Sequence, residues 1–184
     1  AAVEGSRVGL VPDHEYTVAD LEHGLLLASG NDAASALAAI VGGDAQAAEL
    51  MNDEAARLGA FDTNAVNPHG LDAPGQVSSA YDLALIARAV LADEHLAGLV
   101  RTSTYDFPGM DGATFQIQNH NRLLGSYEGA YGVKTGYTRK TGACLLAAAR
   151  RDGHSVIAVV LNSRNIWRDM PILLDEAFAR LDAA

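Results

Sequence analysis

One cysteine, Cys144, stands among 184 residues, so no disulfide can form within the chain. Basic residues are scarce as well: 13 lysines and arginines face 23 acids, a formal charge of -10, which removes the basic face that nucleic acid or an anionic membrane requires. The six histidines (14, 23, 69, 95, 120 and 154) never fall at metal-ligand spacing, and neither a metal nor a cofactor is expected. Long hydrophobic runs are missing too; the most apolar windows, such as 156–161, are far shorter than a membrane span. The first residues show no basic-then-apolar pattern, and no cellular address can be read from the chain itself. What is present, 49% hydrophobic and 20% charged residues, suits one globular unit with a sizeable core.

Lysine is the rarest charge. Only Lys134 and Lys140 occur, and Lys134 is flanked by Gly132 and Gly136 in the stretch Lys134-Thr135-Gly136. A cation placed with no bulk beside it points to an anionic ligand. Read alone, it is more readily a solvated charge that discourages aggregation at a strand edge.

Periodicity divides the chain. Thr17 followed by Asp20 resembles a capping box, and Val18, Leu21 and Leu25 repeat at helical spacing, which predicts a helix over 17–28 that ends at Ser29. Ser29-Gly30-Asn31 breaks the pattern. Asp32 is then expected to cap a second helix with Ala33, Ala36, Leu37 and Ile40 on its apolar face, stopped by Gly42-Gly43. A third helix fits 44–58 with Gly59 at its end, and a fourth follows Ser79 with Leu83, Ile86 and Val90 inward. Between them, Asn67-Pro68-His69-Gly70-Leu71-Asp72 reads as a structural turn, with His69 as a loop residue.

Beyond about residue 100 the pattern is that of strands. Residues 102–107 and 113–118 read as a hairpin about Pro108-Gly109, and 131–138, 143–150 and 155–161 as an antiparallel meander with Gly142 and Asp152-Gly153 in its turns. Cys144 is expected to pack as a small apolar group in its strand. A helix from Pro171 to residue 181, with Ile172, Leu173, Ala177 and Leu181 apolar, closes the chain over the sheet. The fold class is therefore α/β of the α+β type, a helical cluster (about 17–100) beside an antiparallel sheet (about 101–184).

Ser29-Gly30-Asn31 and Lys134-Thr135-Gly136 resemble two of the three motifs of the serine penicillin-binding and β-lactamase superfamily. Each triplet alone is a weak signal, and Ser29-Gly30-Asn31 alone reads as a helix-to-helix turn. Taken in order, however, Ser29-Gly30-Asn31-Asp32-Ala33-Ala34, the 67–72 block, Ser79-Ala80-Tyr81-Asp82-Leu83-Ala84 and Lys134-Thr135-Gly136-Tyr137-Thr138 resemble the low-molecular-mass D-alanyl-D-alanine carboxypeptidases, peptidase family S11. They cover nearly the whole chain. The resemblance implies a β-lactamase/DD-peptidase-like fold and removal of the terminal D-alanine from peptidoglycan stem peptides through an acyl-enzyme. It also implies inhibition by β-lactams and a location outside the cytoplasm, with any membrane attachment through segments not present in these residues.

The family's nucleophile motif, Ser-x-x-Lys, does not occur: the residues three before Lys134 and Lys140 are Tyr131 and Tyr137. In family members that motif precedes the Ser-Gly-Asn loop. Residues 1–184 are thus expected to be a partial catalytic domain, incomplete at the N-terminus and inactive alone. By resemblance, Ser29 relays a proton to the departing D-alanine, Asn31 holds the substrate backbone or the lysine of Ser-x-x-Lys, and Lys134 is the electrostatic partner. Lys134, Thr135, Gly136 and Thr138 are the expected substrate wall, along which a peptide adds as a strand. His120 and Arg122 are candidates for receiving the substrate carboxylate, while Arg164 and Arg168 read as surface charges near the rim. Two other readings stay open. A class A β-lactamase shares the Lys134 triplet but ordinarily has aspartate where Gly30 stands and a deacylating glutamate. A non-catalytic module that binds peptidoglycan stems would need no nucleophile.

Overall fold

Local capping sets the first helix. In the computed structural model, which describes residues 4–183, the Thr17 hydroxyl accepts from the Asp20 N–H while the Asp20 carboxylate accepts from the Thr17 N–H. This reciprocal cap starts α1 (Val18–Leu26). α2 (Asn31–Ile40) follows, and here the structure corrects the expectation: Gly30, not Asp32, is the N-cap, and Asp32 lies inside the first turn. Ile40, placed on the apolar face by its spacing, is 62% exposed because α2 ends against solvent there. α3 (Asp44–Leu58) terminates on Gly59 at φ +80°, a left-handed cap that glycine adopts without strain.

Ser79 caps α4 (Ala80–Ala92), accepting from the Asp82 N–H. α5 (Glu94–Arg101) has no counterpart in the sequence reading. Asp93 is both the last cap of α4 and the first of α5, its carboxylate accepting from the Leu96 N–H at 2.9 Å, so the two helices abut with no turn residues between them.

β1 (Thr104–Pro108) and β2 (Thr114–Gln118) form the expected hairpin, but Pro108 is paired with Thr114 and the reversal is a single helical turn at Met110–Gly112. After the short α6 (Leu123–Ser126) comes the meander β3 (Ala130–Thr138), β4 (Gly142–Arg151) and β5 (His154–Ser163), antiparallel with β4 central. Asp152 and Gly153, at φ +48° and +83°, make the tight β4–β5 turn. α7 (Ile166–Asp182) begins at the Asn165 cap, five residues before the expected start at Pro171. Ile166, Met170, Leu174 and Phe178, at intervals of four, all bury onto the sheet. That burial outweighs the single backbone hydrogen bond Pro171 removes.

The meander is therefore covered on both faces. Leu145, Ala147 and Ala149 of β4 pack beneath α7, while Leu146 and Ala148 meet Ala87 of α4, Val100 of α5 and Val133 of β3. The alanines let helices approach on both sides, which is why β4 reads as an unbroken apolar run rather than an alternation. A third cluster joins Leu27, Phe107, Ile117 and Val8, tying α1 and the hairpin to the N-terminal segment. This is the expected α+β architecture. Among the described residues no helix is long and apolar enough to cross a membrane.

Leu174, fully buried where α7 packs on β4, is a site where truncation should be costly. Leu174→Ala is expected to lower the free energy of unfolding by about 2–5 kcal/mol, read from urea denaturation.

Candidate active site

The end of α1, the start of α2 and the strand β3 converge on one contact. The Lys134 Nζ donates to the Ser29 Oγ at 2.7 Å across 105 residues of sequence, and also to the Thr135 carbonyl at 2.8 Å. Ser29 reaches it from a left-handed backbone, φ +56°, a conformation that costs a residue with a side chain on the order of 1 kcal/mol or more and persists only where neighbours enforce it.

The neighbours are close. Gly30 has an ordinary φ of -69°, but a Cβ there would lie 3.0 Å from Asp32 Oδ1, 3.2 Å from the Gly24 carbonyl and 3.2 Å from Val8 Cγ1. Tight space, not conformation, favours glycine here. The Gly30 N–H donates to the Gly24 carbonyl and the Asn31 N–H to the Ser6 carbonyl, so two of the loop's backbone donors are engaged. The Asn31 side chain, 8% exposed, donates through Nδ2 to the Glu4 carbonyl at 2.6 Å.

Lys134 has no carboxylate within ion-pair distance among the described residues. Burial of its ammonium holds it well below the ordinary lysine value of 10.5, at about 8. Because the folded value is depressed, burying the charge costs stability at neutral pH, and that cost is relieved as pH rises from about 8 toward 10.5. His120 stands nearby, its N–H donated to the Leu27 carbonyl at 3.0 Å. Burial first, and the Lys134 charge second, hold its imidazole below the usual histidine range. A neutral His120 leaves Lys134 as the cation of the cleft near pH 7.

Register orders the expected wall: Lys134, Gly136 and Thr138 pair with Leu146, Cys144 and Gly142, whereas Thr135 and Tyr137 lie opposite Leu145 and Ala143. β3 pairs only with β4 among the described strands, so its other edge is open to an added strand. Gly132 has a different explanation from the one its position suggested: a Cβ there would be 3.2 Å from Val100 Cγ2, so it is small to admit α5. A Cβ at Gly136 would meet nothing nearer than 3.8 Å, and its absence simply leaves the edge unobstructed.

Arg122 is not drawn into the cleft: its guanidinium lies 5.3 Å from the centre of the Trp167 ring, on α7. Arg168 pairs with Asp169 at the surface, and Arg164 is exposed. Two residues without an assigned part in the cleft join the site's surroundings. Asp72 accepts from the Thr138 hydroxyl at 2.9 Å, latching the 67–72 turn to the end of β3, and Asp32 binds the N-terminal segment. The 67–72 block was legible only as a turn, because nothing in a turn sequence states which strand it touches.

The family profile of D-alanyl-D-alanine carboxypeptidases, peptidase S11, matches residues 1–165. The chain belongs to that family. It is 38% identical to the D-alanyl-D-alanine carboxypeptidase DacB2 of Mycobacterium tuberculosis over 96% of its own length, and spans 63% of that relative. A crystal structure of a D-alanyl-D-alanine carboxypeptidase from the same organism superposes with a TM-score of 0.92 at 37% identity, covering 97% of this chain and 70% of the other. Penicillin-binding protein D2 of Listeria monocytogenes, in its ampicillin-bound form, matches with a TM-score of 0.84 at 28% identity, covering 97% and 74%. S11 membership accounts for the ordered blocks seen in the sequence and for the mixed helix-and-sheet fold.

With only two lysines, reductive ¹³C-methylation gives a spectrum in which Lys134 can be followed singly. Its resonance is expected to titrate with a midpoint near 8. A midpoint above about 10 would mean that the ammonium is solvated rather than enclosed.

Proposed function

We propose that this chain carries the Ser-Gly-Asn and Lys-Thr-Gly part of a serine D-Ala-D-Ala carboxypeptidase site, which acts on peptidoglycan stem peptides outside the cytoplasm and is acylated by β-lactams. The observation that carries the reading is the 2.7 Å hydrogen bond from Lys134 to Ser29 in a member of the S11 family. A hydroxyl whose oxygen accepts from a lysine keeps its own proton free to donate, which is what a departing amine needs. Ser29 is thus the proton relay, Lys134 fixes its direction and supplies positive potential for the substrate carboxylate, and Asn31 offers its amide to the peptide backbone or to the lysine of a Ser-x-x-Lys pair. The open edge of β3 at Gly136 takes the stem peptide as an added strand, with Thr135 and Thr138 as flanking hydroxyls. His120, at the cleft and neutral, is suited to hydrogen-bond the carboxylate; Arg122 is reserved for the α7 side unless it leaves Trp167.

The chemistry needs a nucleophile. The 184 residues contain no Ser-x-x-Lys, so by themselves they bind stems without cutting them, which is the one respect in which the binding-module reading is favoured. Gly30, standing where a class A β-lactamase ordinarily has aspartate, continues to disfavour that reading.

The test has two arms. The chain alone, incubated with a fluorescent penicillin, should take no label; a covalent adduct would place the nucleophile within these residues. Fused behind the part of DacB2 that precedes the matched stretch, it should be labelled, and Lys134→Ala or Ser29→Ala in that fusion should slow labelling by about 10²–10³-fold. A fusion labelled equally with and without those substitutions would remove Ser29 and Lys134 from the mechanism.

A further inference from the structure

Asp32 is 9% exposed and belongs to neither triplet. Its Oδ1 accepts from the Val8 N–H and the Ala33 N–H, both at 3.0 Å; its Oδ2 accepts from Gly9 at 2.9 Å and Leu10 at 3.0 Å. No lysine, arginine or histidine pairs with it among the described residues, so four backbone amides carry the whole solvation of a buried carboxylate. Three of the donors are consecutive and come from more than twenty positions upstream. Successive N–H groups can face one anion only around a concave turn. Gly9 supplies it: φ is +86° and nothing lies within 4 Å of where its Cβ would be, so conformation alone explains this glycine.

The clip has consequences along the segment it holds. Running back from Val8, the chain presents the Ser6 carbonyl to the Asn31 N–H at 2.8 Å and the Glu4 carbonyl to Asn31 Nδ2 at 2.6 Å. Gly5, at φ +85°, allows the approach, since a Cβ there would sit 2.8 Å from Asn31 Nδ2. On its other side Asp32 Oδ1 is the nearest of the atoms that would crowd a side chain at Gly30, the residue next to Ser29 with its left-handed backbone. A helix-capping role does not account for this, because Gly30 is the N-cap and Asp32 bonds mainly to residues 8–10.

We infer that Asp32 is a positioning residue: an anionic clip that, through residues 4–10 and Gly30, holds Asn31 and Ser29 in the orientation that faces Lys134. The inference rests on the proposed site, but its test reads the geometry of that site and not its catalysis. Asp32→Asn keeps the shape and removes the charge, and turns an amide NH2 toward amides that need an acceptor. Freed from the segment, the Ser29 loop relaxes and Lys134 gains water. The ¹³C-methyl-lysine titration should then show the Lys134 midpoint rising by about one unit or more, with the Asn31 side-chain amide resonances displaced, while Lys140 is unmoved. Asp32→Glu, which keeps the anion, should recover part of the shift. His120, the other titratable group at the cleft, is followed in the same samples so that its protonation is not mistaken for the change.

Gly9→Ala is the second variant. It strains the turn without touching α2 and should move Lys134 in the same direction by less. If Asp32→Asn fails to fold, Gly9→Ala carries the test. A folded variant of either kind with an unchanged Lys134 midpoint and unmoved Asn31 resonances overturns the inference. Failure of the fusion to be acylated would instead count against the proposed function and leave the Lys134 result standing.

Discussion

A largely enclosed ammonium with no carboxylate in ion-pair range among the described residues is the constraint around which the site is arranged. Lys134 donates to one hydroxyl and one carbonyl, and burial of its ammonium lowers its pKa to about 8, because those dipoles replace water incompletely. An ion pair would make the site more comfortable and less useful, because a carboxylate in contact would compete with any anionic ligand. Holding the charge there requires a rigid wall. β3 supplies it: β4 fixes one edge, Gly132 admits α5 against its face, and α7 closes the far side of the sheet through Met170, Leu174 and Phe178.

The other half of the contact is held by different means. Ser29 sits on a loop, where conformational freedom is ordinarily greatest, yet its neighbours leave it none: Gly24 receives the Gly30 N–H, Ser6 receives the Asn31 N–H, and Asp32 fills the space a side chain at position 30 would take. The strand contributes stiffness through its ladder, the loop through a set of specific hydrogen bonds, and the 2.7 Å contact forms where the two meet.

Much of this was legible in the sequence because it is local. The Thr17–Asp20 cap, the Gly59 terminus and the Asp152-Gly153 turn each follow from a few adjacent residues, and all three stand as read. Misreadings occur where one signal serves two purposes. Asp93 ends α4 and begins α5, so no break marks the second helix. Pro171 looks like a first-turn proline, but Ile166 and Met170 bury well enough to extend α7 ahead of it. Asp32 has the type of an N-cap and the partners of an anchor, and partners 22 to 24 positions away cannot be seen from spacing. In the site, the order of the motif blocks pointed to Ser29, Asn31 and Lys134, whereas Arg122 entered through the resemblance, as an arginine near the position where some relatives receive the substrate carboxylate. The cation–π contact with Trp167 belongs to tertiary structure and left no trace there.

The charge of the whole chain sharpens the role of Lys134. At -10 the surface repels anions at long range, and a peptide that ends in a carboxylate gains no steering from it. Screening confines that repulsion to about 8 Å at physiological ionic strength, so the field of Lys134 governs only a ligand already in the cleft. Capture must therefore begin with groups indifferent to net charge, and the unpaired edge of β3 offers backbone donors and acceptors of that kind. On the proposed function, recognition along the strand comes first, and the lysine then discriminates among chains already docked by whether they end in a carboxylate. The scarcity of lysine is consistent with that division: further cations near the cleft would attract anions without regard to the strand, and the selection made by backbone pairing would be lost.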